Sequence, residues 1–329
     1  MDDVVIAVDL GGTQLRVAAY DPGCQILARH AEPSRAHEGL ESVLERMIAS
    51  IRSVGEEVGW DRVVGIGASA PGPLDPRQGV ILWAPNLPGW KDVPIGKRLN
   101  QALRRPIFLG NDANLAALAE QRRGAGQGQA DMVYITFSTG IGGGIISDGR
   151  LIIGHRGLGA EVGHMTVEAF GPVCNCGNIG CLEALASGTA LARQARALVT
   201  AGVKTLIADL VDGDLDKISA RTIHDAADAG DAVAADLYRK AGIYLGIGIV
   251  NLMYLFGPTA IVIGGGIAKA WDLFYAPMQA TIRQRIKEVY WSSCPIVQAT
   301  LGDDVALLGA AILAWEGVNQ RSRLDPRVP

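Results

Sequence analysis

Twice in this chain a β-branched strand runs into a glycine turn and leaves it as another strand. Val4–Val8 enters Asp9-Leu10-Gly11-Gly12-Thr13 and Leu15–Tyr20 leaves it. Val133–Phe137 enters Ser138-Thr139-Gly140-Ile141-Gly142-Gly143-Gly144, a glycine loop, and a further hairpin region spans Ile145–Ile153. Strands flanking a glycine tip predict β-hairpins. The dinucleotide fingerprint GxGxxG joins a strand to a helix, and these turns do not. Nor does GxxxxGK[ST] occur, since Gly96-Lys97 is followed by Arg98. A nicotinamide dehydrogenase is disfavoured.

A turn without Cβ atoms lets backbone N–H groups approach phosphate oxygens. Asp9, ending a strand, would there hold Mg²⁺ directly or through water. Ser138 and Thr139 add hydroxyl donors. One such turn alone reads as a tight hairpin needing positive φ. Two of them, with Gly264-Gly265-Gly266 after the strand Ala260–Ile263, point to a nucleotide.

At 329 residues the chain suggests two lobes. Helical spacing places Leu40, Val43, Leu44, Met47, Ile48, Ile51 and Val54 on one face of a helix over Glu38–Val54. A third strand is expected near Gln25–His30 and another at Val63–Ala68. The Pro- and Gly-rich stretch from Pro71 to Trp90 reads as a long loop with one short strand, Val80–Trp83. Strand Ile107–Leu109 leads through Asn111-Asp112 into helix Ala113–Arg122. Gly124–Gln129 marks a break and a lobe boundary. Helices dominate Leu182–Leu255, helix Asp304–Trp315 closes the fold, and Asn319–Pro329 is expected to be a mobile polar tail.

The formal net charge of −4 and the lack of a basic run disfavour a nucleic-acid partner. The apolar stretch Ile243–Phe256, interrupted by Gly246, Gly248 and Asn251, is too short to span a bilayer. The acidic start Met1-Asp2-Asp3 resembles no targeting segment. No membrane association is expected, and the cytoplasm is the expected compartment.

Of five cysteines, three crowd into Cys174–Cys181, which is not a secreted disulfide framework. Cys24 and Cys294 read as reduced thiols. His164, Cys174, Cys176 and Cys181 form a set suited to tetrahedral Zn²⁺. Four protein ligands leave no open position, so the metal would be structural. The alternative is buried thiols beside an unrelated histidine, but Asn175, Gly177, Asn178 and Gly180 suit a metal knuckle better than a core strand.

Asp112 has two readings. It could cap the helix that follows, accepting backbone N–H bonds. It could equally be an ionised carboxylate able to take a proton from a hydroxyl.

Gly159-Ala160-Glu161-Val162-Gly163-His164 spells ExGH. Cys174-Asn175-Cys176-Gly177-Asn178-Ile179-Gly180-Cys181-Leu182-Glu183 then spells CxCGxxGCxE. In these motifs and their order, and over nearly the whole chain, the sequence resembles the ROK family (repressor, open reading frame, kinase) of sugar kinases. The resemblance implies an α/β, two-lobed actin/hexokinase-like (ribonuclease H-like) ATPase fold with a structural zinc knuckle. It implies a small lobe of residues 1–118 plus 303–329, where the C-terminal helix returns, and a large lobe of residues 119–302. It implies Asp112 as catalytic base, with Gly72, Asn86, Asn111, Glu161, His164 and Glu183 contacting sugar. Gly11, Gly12, Thr13, Thr139 and Gly140 would contact phosphate, and Gly265 and Gly266 the adenosine side of ATP. A homodimer or homotetramer is implied as well.

Glu161 and His164, three residues apart, would share a face on a helical turn. Zinc on one imidazole nitrogen would orient the ring so that the other nitrogen faces sugar. Gln14 stands where many members have Lys, and Ser138 where Gly is common; neither change removes a phosphate donor.

Glucose is the leading acceptor, through its 6-hydroxyl, because Asn86-Leu87-Pro88-Gly89-Trp90 looks like the segment of bacterial glucokinases. Fructose, mannose, N-acetylmannosamine and N-acetylglucosamine stay open. A sugar-responsive regulator would place a winged helix before the first strand, for which the start at Val4 leaves no room. A non-catalytic sugar- or zinc-binding scaffold is the third reading, against which Asp112 and the two glycine turns argue.

Overall fold

The computed structural model describes residues 2–84 and 86–324. Along the chain run β1 (Val4–Leu10), β2 (Gln14–Tyr20), β3 (Ile26–Pro33), α1 (Leu40–Val58), β4 (Val63–Ala70), β5 (Leu74–Asp75), β6 (Val80–Trp83), β7 (Lys91–Val93), α2 (Ile95–Leu103), β8 (Ile107–Asn111) and α3 (Asp112–Arg123). Then follow β9 (Met132–Phe137), β10 (Ile141–Ser147), β11 (Arg150–Leu151), α4 (Leu182–Ala186), α5 (Gly188–Thr200), α6 (Leu206–Asp209), α7 (Ala220–Asp228) and α8 (Ala232–Phe256). The last elements are β12 (Ala260–Gly264), α9 (Trp271–Arg285), α10 (Glu288–Trp291), β13 (Ile296–Gln298) and α11 (Val305–Leu324). By internal contact the chain forms two compact units. One comprises residues 1–124, 151–160 and 303–329, the other residues 125–150 and 161–302.

The first unit is built on the sheet β3-β2-β1-β4-β8. β1 pairs antiparallel with β2 and parallel with β4, which pairs parallel with β8. β1 is almost wholly buried, as its unbroken apolar run dictates. On one side α1 buries Val43, Leu44, Met47, Ile51 and Val54, the face its spacing predicts. That helix begins at Leu40, two residues later than expected, because Gly39 at φ 90° separates it from a short 3₁₀ turn. Elsewhere α11 packs on β4 and α3. Gly67 permits that approach, since a Cβ there would lie 1.9 Å from the Ala310 carbonyl oxygen. The Pro- and Gly-rich segment holds not one strand but three, β5, β6 and β7, in a small antiparallel sheet.

In the second unit β10, β9, β12 and β13 lie side by side in that order. β9 pairs antiparallel with β10 and parallel with β12. The hairpin echo between Val4–Tyr20 and Val133–Ser147 thus extends to the neighbouring parallel strand. The expected glycine loop Ser138–Gly144 is shorter than its composition suggests. Gly142, Gly143 and Gly144 belong to β10, and the turn itself is Ser138–Gly140. Gly143 is there for packing, because a Cβ would stand 2.5 Å from Val162 Cγ2 and 2.7 Å from the Tyr134 carbonyl oxygen.

Among the described residues no helix is long and apolar enough to cross a membrane. The tail expected from Asn319 is helical as far as Leu324, and its remainder lies outside the described residues.

Candidate active site and metal cluster

Parallel strands end together, and in the first unit their ends gather the acidic residues. Asp9 at the end of β1 stands opposite Ser69 of β4, and Ala70 stands opposite Asn111 of β8. Burial raises the Asp9 pKa, an effect the nearby Arg16 guanidinium opposes. Arg16 Nη1 lies 3.8 Å from the Asp9 carboxylate. A partly enclosed carboxylate at a strand end offers the hard oxygen ligand that Mg²⁺ takes.

Asp112 is the exposed first residue of α3. The cap, one of the two readings of Asp112, belongs to Asn111, whose side-chain oxygen accepts from the N–H groups of Ala113 and Asn114 at 3.0 and 3.3 Å. Asn111 has the extended backbone of a cap residue, and Asp112 is already helical. Asp112 Oδ1 accepts from the adjacent Ala113 N–H at 2.8 Å.

The Asn111 side-chain nitrogen donates to the Gly72 carbonyl at 3.3 Å. Gly72 sits at φ 83°, where an added Cβ would be 2.1 Å from the Trp83 carbonyl oxygen. Only glycine fits both the conformation and the space. Asn86 lies against the first turn, since a Cβ on Gly12 would be 3.1 Å from Asn86 Cβ. Gly12 is therefore a neighbour of Asn86, and Gly72 of Asn111. Thr13 is exposed at the hairpin tip, and Gly11 closes the turn by donating to the Gln14 carbonyl at 2.9 Å.

In the second unit the ligand atoms of His164, Cys174, Cys176 and Cys181 all lie within 4.8 Å of one another. Cys176 Sγ is 3.7 Å from Cys181 Sγ, and Cys174 Sγ is 3.8 Å from His164 Nδ1. Zinc–sulfur bonds of about 2.3 Å at tetrahedral angles put sulfurs about 3.8 Å apart, so the donor set fits zinc. Cys174 and Cys181 are buried and Cys176 is exposed. Burial, with hydrogen bonding of the Cys181 thiol to Cys176 and Cys174, pushes it up to about 12 in the metal-free chain. A cation bound here would replace the thiol protons.

Glu161 precedes the 3₁₀ turn Val162–His164 and its carbonyl accepts the His164 N–H at 3.0 Å, which keeps the two side chains close. Burial of its carboxyl raises the Glu161 pKa, His164 opposes this and Glu183 adds to it. Glu183, in the first turn of α4, places Oε1 3.9 Å from Cys174 Sγ and accepts the Ile141 N–H through Oε2 at 2.9 Å. Glu161 and Glu183 thus lie next to the metal set, Glu161 beside His164 and Glu183 beside Cys174.

Gly265 and Gly266 lie beside the second turn. A Cβ on Gly265 would be 2.5 Å from the Phe137 carbonyl oxygen, and one on Gly266 would be 3.6 Å from Ser138 Oγ. Thr139, exposed at the turn, and Gly266 line a cavity of about 780 Å³ whose walls include Thr189, Arg196, His224 and Lys269. Arg196 braces one wall by donating to the carbonyls of Leu215 and Ile218 at 2.8 and 3.0 Å. Sequence reasoning did not find these wall residues. They come from α5, α7 and the 3₁₀ turn Gly266–Ala270, far apart in sequence, and share no local motif.

The ROK family model matches residues 5–316. A glucokinase of Thermotoga maritima is 35% identical over 95% of this chain and 98% of its own length. The crystal structure of a ROK hexokinase from Thermus thermophilus superposes with a TM-score of 0.81, at 38% identity over 96% of this chain and 99% of that one. A ROK family glucokinase from Streptomyces griseus, in complex with glucose and AMPPNP, gives a TM-score of 0.81 at 35% identity, over 95% of this chain and 100% of that one. With its hairpins, strand-end carboxylates and Cys3His cluster, the chain belongs to the ROK family and has the α/β fold of its sugar kinases.

Proposed function

We propose that this protein is an ATP-dependent hexose kinase, with glucose the preferred acceptor and glucose 6-phosphate the product. The observation that carries the reading is the placing of Asp9 at the end of β1 and Asn111 at the end of β8, with Asp112 next in the chain and the cap supplied by Asn111. The similarity to the Thermotoga maritima glucokinase over nearly the full length of both chains supports it.

Asp112 takes the proton of the sugar 6-hydroxyl as that oxygen bonds to the γ-phosphorus. The bond to the β–γ bridging oxygen breaks and ADP leaves. Phosphoryl transfer asks for positioning and charge stabilisation more than covalent chemistry. Gly11, Gly12, Thr13, Thr139 and Gly140 supply phosphate donors, Asp9 would hold Mg²⁺, and Gly265 and Gly266 face the adenosine. Gly72, Asn86, Asn111, Glu161, His164 and Glu183 hold sugar hydroxyls. Zinc, held by His164 and the three cysteines, would fix the His164 ring. The five free cysteines and the ATP requirement suit a reducing cytoplasm. Family membership supports a homodimer or homotetramer. The net charge of −4 supports a protein without a nucleic-acid partner.

An ADP-release assay over glucose, fructose, mannose, N-acetylmannosamine and N-acetylglucosamine tests the proposal, with phosphorus NMR to locate the product phosphate. ADP release greatest with glucose and a 6-phosphate product are expected. Silence with every sugar would overturn the reading.

A further inference from the structure

The residues that follow the last cysteine of the metal set grip the second glycine turn. Glu183 Oε2 accepts the Ile141 N–H at 2.9 Å. Gly188 N–H donates to the Ser138 carbonyl at 2.9 Å. The Thr139 carbonyl accepts from both the N–H of Thr189, at 3.1 Å, and its hydroxyl, at 2.8 Å. Four hydrogen bonds therefore fix the turn from a segment that starts two residues after Cys181. The fit is close: a Cβ on Gly140 would stand 2.5 Å from Glu183 Oε2. On its other side the same carboxylate reaches Cys174 Sγ at 3.9 Å.

We infer that the metal knuckle serves the nucleotide as well as the sugar. Glu183 and Thr189 are positioning residues that hold the Ser138–Ile141 turn in its phosphate-receiving shape. The physical reason is orientation. Phosphate is bound by N–H groups whose directions the turn sets, and a turn fixed in advance loses less entropy on binding. With the Ile141 N–H and the Thr139 carbonyl satisfied inside the protein, the turn's remaining donors keep one orientation. Cys181 anchors the start of this segment, so the state of the metal set reaches the turn through α4. This inference rests on the reading that Thr139 and Gly140 contact the donor's phosphates.

The test is calorimetric binding of AMPPNP with Mg²⁺, without sugar, to the full-length wild type, Glu183→Ala, Glu183→Gln and Thr189→Val. Glucose binding is measured separately. Glu183→Ala is expected to weaken AMPPNP about tenfold, the scale of a lost hydrogen bond to a charged acceptor. Glu183→Gln keeps an acceptor oxygen for Ile141 and should recover most of that loss, while still weakening glucose. Thr189→Val, which leaves the sugar residues untouched, should weaken AMPPNP about threefold and leave glucose affinity unchanged. Gly140→Ala should weaken glucose, because its methyl displaces the Glu183 carboxylate. Thermal midpoints and zinc content of each variant separate these effects from misfolding. Wild-type AMPPNP affinity in both folded Glu183→Ala and Thr189→Val would overturn the inference and leave the kinase reading standing. A wild type that binds no AMPPNP would overturn both.

Discussion

The Asn111 side chain works in two directions: its oxygen caps α3, and its nitrogen donates to the Gly72 carbonyl. Asn111→Asp keeps the oxygen acceptors of the cap but loses the donor to Gly72, and it sets a second carboxylate beside Asp112. Stability should change by less than about 1 kcal/mol, while KM for the sugar rises at least about tenfold, the scale of a lost hydrogen bond in a binding site. Denaturant melts and steady-state kinetics on one preparation separate the two effects.

Asp112→Asn retains an oxygen that can accept the Ala113 N–H, so the start of α3 should survive. A general base contributes about 10²–10⁴ to rate. The expected outcome is a kcat lowered by about a thousandfold, with the sugar dissociation constant within about threefold of wild type. Near-normal turnover would exclude Asp112 as the base.

The metal cluster offers a substitution that leaves no hole. Cys176 is exposed while Cys181 is fully buried. Cys176→Ser therefore tests ligation with little loss of packing. Elemental analysis should find one zinc per wild-type chain and almost none in the variant. The thermal midpoint should fall by several degrees and sugar affinity should weaken. Full activity in a metal-free wild type would remove zinc from the mechanism.

Asp231 caps α8 and ties down α6. It accepts from the Ala234 N–H and the Thr205 hydroxyl at 2.8 Å and from the Leu206 N–H at 2.5 Å. Burial pushes its carboxyl up, but these donors outweigh burial and hold its pKa below the usual value. A lowered folded pKa gives stability that is present above the unfolded value of about 3.9 and lost as pH falls through the folded one. Asp231→Ala should cost about 1–3 kcal/mol at neutral pH. The gap from wild type should narrow below about pH 4, which pH-dependent denaturant melts would show.

Local features were legible in the sequence. The two hairpins, the buried face of α1 and the Cys3His quartet depend on short spacings, and the structure places them there. Features set by distant neighbours were not. Gly142–Gly144 look like loop, yet Val162 and the Tyr134 carbonyl require a strand without Cβ atoms at Gly143. The cap moved from Asp112 to Asn111 because adjacent polar residues compete for one position, and the backbone of β8 decides between them. Glu183 reads as a surface carboxylate or a sugar ligand. Its bond to Ile141, across 42 residues, exists only once α4 packs beside β10.

The packing of α11 against β4 and α3 bears on how the protein is made. Every residue of the second unit has been synthesised by 302, but the first unit lacks a helix of its interior until α11 has been made. On the ribosome the N-terminal sheet must wait, apolar surface uncovered, while the later-encoded unit can already condense. Premature stop codons beyond residue 302 would leave that second unit whole and cripple the part of the molecule translated first.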